Sequence, residues 1–331
     1  MTAPIEAPTP GAIADAVERL RAGELVAFPT ETVYGLGADA SNREAVRRIF
    51  AAKGRPADHP VIVHLAEASH LGQWARYVPA PASRLAAAFW PGPLTLVLPR
   101  APEVLDIVTG GQESVGLRVP SHPVARALLG AFGSGIAAPS ANRFGRISPT
   151  TARHVADDLG VAVALILDGG ACEVGIESTI VAFEGDEAVL LRPGGIGTAE
   201  LAQVLGRTPR APGAAAPRAS GTLPSHYAPR TPTTLVTAGA LRPEIAQRGE
   251  RDEDVAVLAR TVERPADFAG LWVCAPGGAV AYAHDLYANL RALDAANADA
   301  ILVEAVPVDD AWLAVRDRLA RATRGEDDDR D

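Results

Sequence analysis

Short apolar runs recur through the first two hundred residues, each cut by Gly, Pro or charge and each alternating with a stretch of helical period. Residues 25–28, stopped by Pro29, read as a strand, as do 61–65, 94–98, 115–119, 135–138 and 163–167. Residues 13–21 read as a helix ended by Gly23. Asn42 is placed to cap a helix over 43–53, which puts Lys53 in its last turn. Residues 179–183 and 189–192, joined across a Glu-Gly-Asp-Glu turn, read as a hairpin. After a proline-rich stretch, strands are expected at 234–237, 255–258, 271–274 and 300–303, with helices over 281–296 and 310–321. In the first of these helices Tyr282, Leu286, Leu290 and Leu293 share one face, the mark of a core stripe. Strand–helix alternation of this kind predicts α/β folds in both halves, the smaller with a parallel sheet.

The stretch 207–232 differs in kind: it holds six prolines, and from Leu201 to Pro243 there are five arginines and no acidic residue. It reads as an extended linker. The expected organisation is therefore a larger domain over 1–206, the linker 207–232, a smaller domain over 233–323 and a solvated acidic tail over 324–331.

A length of 331 residues suits two domains with real cores. The net charge of −9 argues against bulk electrostatic binding of nucleic acid but leaves local basic pockets open. Cys172 and Cys274 are too far apart in sequence for a C-x-x-C zinc or redox motif. No apolar run has the length of a membrane span, and the first eleven residues lack the form of a signal peptide, so a cytoplasmic location is expected.

One residue stands out chemically. Among 31 basic residues only Lys53 is lysine, followed at once by Gly54, Arg55 and Pro56. Lysine's compact ammonium and arginine's planar fork differ at a phosphate or an oxyanion. Two adjacent cations repel unless an anion lies between them, and a polyphosphate would serve. Arg118, set between Leu117 and Val119, needs an anionic partner, which a substrate carboxylate or a structural Asp would supply. His64 ends an apolar strand, where it suits either ligand contact or a satisfied core position. Loops leaving strands carry the remaining candidates: Thr30, Glu31 and Thr32 before Gly35 and Gly37; Ser114; Ser140 and Asn142 among small residues; Ser148; Ser178; and Arg192 before Gly194. No Walker P-loop, G-x-G-x-x-G or G-x-S-x-G motif is present, so phosphate binding would come from scattered Arg, Lys and Ser, without a protein nucleophile.

Seven strings stand in a specific order: Pro-Thr-Glu-Thr-Val-Tyr-Gly-Leu-Gly from Pro29, Lys-Gly-Arg-Pro from Lys53, Trp-Pro-Gly-Pro-Leu-Thr from Trp90, Gly-Leu-Arg-Val-Pro from Gly116, Ala-Pro-Ser-Ala-Asn from Ala138, Glu-Ser-Thr-Ile-Val from Glu177 and Arg-Pro-Gly from Arg192. Together they resemble YrdC-like domains. With Ser-His-Tyr-Ala-Pro from Ser225 and a second α/β unit, the chain resembles the two-domain Sua type of L-threonylcarbamoyladenylate synthase over roughly residues 10 to 323. The resemblance implies a YrdC-like twisted mixed sheet with flanking helices and a smaller Rossmann-like α/β domain. It also implies that L-threonine, bicarbonate and ATP, with Mg2+, give threonylcarbamoyl-AMP and pyrophosphate. That intermediate would feed tRNA modification through downstream threonylcarbamoyl-transferase proteins.

Carried residue by residue, the resemblance assigns Thr32, His64, Arg118, the Ala138 backbone and Ser178 to threonine. It assigns Lys53, Arg55, His59, Ser114, Ser140, Ser148, Arg192 and Tyr227 to ATP, with Lys53 and Arg55 as the catalytic cations and Tyr227 reaching back from the linker to close the site. Metal-coordinating residues are not identified by it. His59 stands where the family more often has asparagine, and Ser220-Gly221-Thr222 departs from the commoner Pro-Gly-Met. A non-catalytic RNA-binding YrdC-like module is the alternative reading.

Overall fold

The computed structural model describes residues 3–214, 216–223 and 226–324; the tail from residue 325 onward and Ser225 lie outside them. Contacts divide the chain into two units. One comprises the described residues up to Phe144 together with Ser148–Thr222, and the other Gly145–Ile147 together with the described residues from Leu223 onward. The stretch 207–232 is thus shared between them.

Ten strands of the first unit are β1 (Ile5–Glu6), β2 (Val26–Phe28), β3 (Gly35–Asp39), β4 (Ile62–His64), β5 (Leu94–Pro99), β6 (Ser114–Arg118), β7 (Ile136–Ala137), β8 (Leu165–Leu167), β9 (Thr179–Glu184) and β10 (Glu187–Arg192). They form one mixed sheet in the order β1-β8-β2-β3-β7-β4-β6-β5-β9-β10. Beyond the sequence reading, the Tyr-Gly-Leu-Gly run is a strand from Gly35 on. Its glycines are required by close packing: a Cβ at Gly37 would come within 2.8 Å of the Phe28 ring and 3.0 Å of the Val26 carbonyl.

Side chains alternate along a strand, so register decides what shares a face. Parallel pairing of β4 with β6 sets His64 opposite Arg118 and Ile62 opposite Gly116. Antiparallel β5 adds Val97 opposite Gly116, and β9 adds Ile180 opposite Thr95. The other face, with Val63, Leu96, Leu117 and Val181, lies in the main core under the helices Arg43–Lys53, Ala80–Phe89 and Ala152–Leu159. Each fully buried aliphatic side chain there contributes roughly 1.5–3 kcal/mol.

The His64–Arg118 face is covered in two pieces. Helices Pro10–Arg21 and Pro123–Phe132 pack on Val26, Phe28, Ile136 and Leu167 at one end. At the other end the cover is a strap of extended chain: Ala216 and Ala219 pack on Val97, Ile180, Ala182, Val189 and Leu191. The strap starts along the outer edge of β10, where Arg210 pairs with Val189 and accepts the Leu190 N–H at 2.9 Å. Between the two covers β4 and β6 end, with His64 and Arg118 as their last residues.

In the second unit β11 (Thr233–Val236), β12 (Val255–Ala259), β13 (Trp272–Cys274) and β14 (Ala300–Glu304) form an all-parallel sheet in the order β11-β14-β12-β13. The helix Ala279–Asp294 buries Tyr282, Leu286, Leu290 and Leu293, the stripe expected from their spacing. A further helix, Ala238–Gly249, escapes the sequence pattern because it contains Pro243 and buries only Leu241.

Candidate active site

The Asn42 side chain accepts the N–H groups of Glu44 and Ala45 and starts the helix that carries Lys53; Gly54 ends it in the left-handed region at φ 64°. That cap turns the chain so that Lys53 goes inward and Arg55 leaves in a new direction. Lys53 is buried, and its ammonium donates to the carbonyls of Ser140 at 2.5 Å and Asn142 at 2.6 Å. Two of its three donors therefore shape the Ala-Pro-Ser-Ala-Asn loop. Burial, and then the charge of Arg55, push the Lys53 pKa well below its ordinary value.

Arg118 is the floor of the site. Its Nη1 donates to Thr32 Oγ1 at 2.8 Å and its Nε to the Gly92 carbonyl at 3.4 Å. The anion its burial demands is Glu31, whose Oε1 lies 2.7 Å from Nη2; both side chains are under 5 % exposed. Neither a structural Asp nor a substrate was needed to supply that partner. The two atoms meet as charges without the alignment of a hydrogen bond. Glu31 Oε2 in turn accepts the Ser121 N–H at 3.1 Å. Thr32 is held by Thr30, whose hydroxyl lies 2.8 Å from its own.

Beside Arg118 in register, His64 is buried, with its ring edge-on to Phe28 at 6.2 Å and its Nδ1 without a partner. Burial and the neighbouring Arg118 charge bring its pKa down to about 3, so the imidazole is neutral. Ala138 donates its N–H to Ile62 at 2.9 Å, which ties the small-residue loop to β4.

Across the sheet Ser178 Oγ lies 2.8 Å from Thr95 Oγ1. Arg192 clamps Ser178 by its carbonyl at 2.9 Å and hydroxyl at 3.2 Å, and also donates to the strap's Ser220 carbonyl at 2.8 Å. Arg55 donates to the Pro60 carbonyl at 2.7 Å and to the strap's Ser220 Oγ at 3.5 Å. Between strap and sheet lies a small cleft lined by Ile62, Thr95, Ser114, Gly116, Ile180 and Ser220. Ser148 is hydrogen-bonded to Glu177 at 2.5 Å, and both are buried. His59 stands edge-on to Phe144 at 5.5 Å.

Direct contacts or strand register thus join Thr32 with Arg118 and His64, Ser178 with Arg192, Lys53 with Ser140, and Arg55 and Arg192 with the strap. Tyr227 belongs to the second unit. Its ring stacks on Tyr287 at 5.6 Å, the Arg318 guanidinium lies 5.2 Å over it, and its backbone takes φ 62°. Sequence reasoning did not assign Glu31, Thr95 or Glu177 a partner. Only for Glu31 was there a signal, a carboxylate next to Thr32 in a chain that also buries an arginine.

Two family models match consecutive stretches: the Sua5–YciO–YrdC model, described as telomere recombination, over residues 18–194, and the C-terminal domain of threonylcarbamoyl-AMP synthase over residues 196–323. Threonylcarbamoyl-AMP synthase of Bacillus subtilis is 42 % identical over 326 residues, 95 % of this chain and 93 % of that protein. The Pyrococcus abyssi protein of the same name is 40 % identical over 92 % of each chain. Among solved structures, P. abyssi Sua5 complexed with L-threonine superposes with a TM-score of 0.89 at 38 % identity, covering 97 % of both chains. E. coli YciO matches 60 % of this chain and 98 % of its own, with a TM-score of 0.52 at 26 % identity. On this agreement of sequence, fold and domain order, the chain belongs to the threonylcarbamoyl-AMP synthase family, with a YrdC-like domain followed by a Sua5 C-terminal domain.

Proposed function

We propose that this chain joins L-threonine, bicarbonate and ATP into threonylcarbamoyl-AMP with release of pyrophosphate. The observation that carries the reading is the pair Arg118 and His64, buried and polar at the ends of adjacent parallel strands, the place where α/β sheets bind ligands. In this reading Arg118 faces the threonine carboxylate, and Thr32, the neutral His64 and Ser178 supply hydrogen bonds around it. The threonine amine, having lost its ammonium proton, displaces water from bicarbonate to form a carbamate, whose oxygen attacks the α-phosphorus of ATP and breaks its bond to the leaving pyrophosphate. Two anions must meet, so the work is positioning and charge neutralisation. Lys53, Arg55 and Arg192 are the cations for it, and Ser114, Ser140 and Ser148 the hydroxyls.

Mg2+ is proposed to arrive on the triphosphate, since phosphate oxygens are its usual ligands and, among the described residues, no three His, Cys, Asp or Glu side chains gather to hold a metal. It would draw charge from the leaving pyrophosphate. Tyr227 as a closing residue, delivery of the intermediate to tRNA-modifying proteins and a cytoplasmic location belong to the same proposal. No helix among the described residues is long and apolar enough to cross a membrane.

The test is pyrophosphate release from ATP and Mg2+ by purified protein, with threonine and bicarbonate added singly and together and with no tRNA. Release that requires both co-substrates is expected. Folded protein that releases none would refute the synthase reading and favour an RNA-binding module.

A further inference from the structure

The Glu31–Arg118 pair has a property that a purely structural ion pair does not require. Most of its polar groups are already engaged: Glu31 Oε2 takes the Ser121 N–H, while Arg118 uses Nε on Gly92 and Nη1 on Thr32. The two remaining atoms, Oε1 and Nη2, lie 2.7 Å apart and buried, yet neither has an aligned hydrogen-bond partner. Buried polar atoms left in that condition call for an explanation, and a ligand is one.

Charge bookkeeping says which ligand. A lone carboxylate brought to a neutral buried pair would leave one net charge out of water, which is costly. A zwitterion adds none. Its dimensions also suit the pair: standard bond lengths put the nitrogen of an α-amino acid about 3 Å from the nearer carboxylate oxygen, close to the separation of Nη2 and Oε1. Laid head to tail, the four charges alternate in sign around a ring.

We propose that Glu31 and Arg118 together are a receptor for the α-amino-acid zwitterion, Arg118 facing the carboxylate and Glu31 the α-ammonium, which makes Glu31 a residue that determines substrate class. The proposal rests on the synthase reading and deepens it: an amine is the group that must form the carbamate, and Glu31 selects acids that carry one. His64 Nδ1 is another buried polar atom on this face without an aligned partner. It carries no charge and so does not discriminate an ammonium from a hydroxyl in the same way.

The experiment is titration calorimetry of the full chain with L-threonine and with its amine-free counterpart 2,3-dihydroxybutyrate, first on the wild type and then on Glu31→Gln. Hydrogen bonds to charged groups imply that the wild type binds threonine roughly ten- to a hundredfold more tightly than the hydroxy acid. Glu31→Gln should weaken threonine and tighten the hydroxy acid, reversing their order, because Arg118 then keeps a net charge that a lone carboxylate neutralises and a zwitterion does not. Equal binding of both compounds by the wild type would overturn the proposal, and so would a variant that loses both equally, since Glu31 would then only hold Arg118 in place. If Glu31→Gln fails to fold, the wild-type comparison decides alone. A folded wild type that binds no threonine would remove the synthase reading itself, a failure distinct from equal binding.

Discussion

Removing Arg118 tests whether its charge serves the fold as well as the ligand. If Arg118 served only a ligand, an alanine at this position would lose most activity and leave the fold intact. The structure changes that expectation, because Glu31 would be left buried at 3 % exposure without its counter-charge. Breaking a buried pair from one side costs about 3–5 kcal/mol, and the lost hydrogen bond to Thr32 adds about 1 kcal/mol. That is a large share of the roughly 5–15 kcal/mol by which a domain is stable. Replacing both partners by neutral groups of similar volume is close to neutral. Arg118→Met is therefore expected to be destabilised by several kcal/mol, and Arg118→Met with Glu31→Gln to recover about 2 kcal/mol or more of that loss. The glutamine amide keeps an oxygen for the Ser121 N–H. Urea denaturation followed by circular dichroism, with the transitions of the two units fitted separately, reads both numbers. Neither variant should turn over. An Arg118→Met protein as stable as wild type would refute the reasoning.

Three further outcomes follow from other contacts. Lys53→Met removes the donor to two buried carbonyls, a loss of about 1–3 kcal/mol each, but also relieves the burial of an ammonium, several kcal/mol in the opposite sense. Its stability should therefore change by no more than about 2 kcal/mol while pyrophosphate release falls roughly a hundredfold or more; near-normal release would show that Lys53 only shapes the loop. His64 takes up a proton near pH 6.5 when unfolded but only near pH 3 when folded, so its contribution is full above 6.5 and is lost as pH falls below it. Between pH 6 and 4.5 wild type should lose up to about 1.4 kcal/mol per pH unit more than His64→Gln, and parallel stability curves would contradict a buried neutral imidazole. At Gly194 a Cβ would fall 2.3 Å from Thr179 N and 2.5 Å from the Ser178 carbonyl carbon. Gly194→Ala should then cost about 1–3 kcal/mol in thermal unfolding and weaken threonine binding through displaced Ser178; a threonine affinity equal to wild type would separate Gly194 from the site.

Sequence by itself determined the parts governed by neighbours along the chain. Period-two and period-3.6 patterns, with a cap at Asn42, define the helix Arg43–Lys53, and the β9–β10 hairpin follows its turn in the same way. The order of the motifs carried the family, because residue types at fixed spacings survive reading without coordinates. Burial of an arginine between Leu117 and Val119 announced that an anion was needed. Which anion was a tertiary matter: the Thr30–Thr32 turn that brings Glu31 beside Arg118 is separated from it by 86 residues between Thr32 and Arg118, and no local propensity couples two such segments. Local rules failed in the same way for the strap. Prolines and absent periodicity signal an extended chain, but only the half-covered face of the sheet, with Val97, Ile180 and Val189 requiring apolar neighbours, explains why Ala216 and Ala219 lie on it. Lys53 shows the division most simply: composition singled it out, while the fold decided that its ammonium first holds two backbone carbonyls, because a buried charge takes whatever acceptors the folded chain brings within reach.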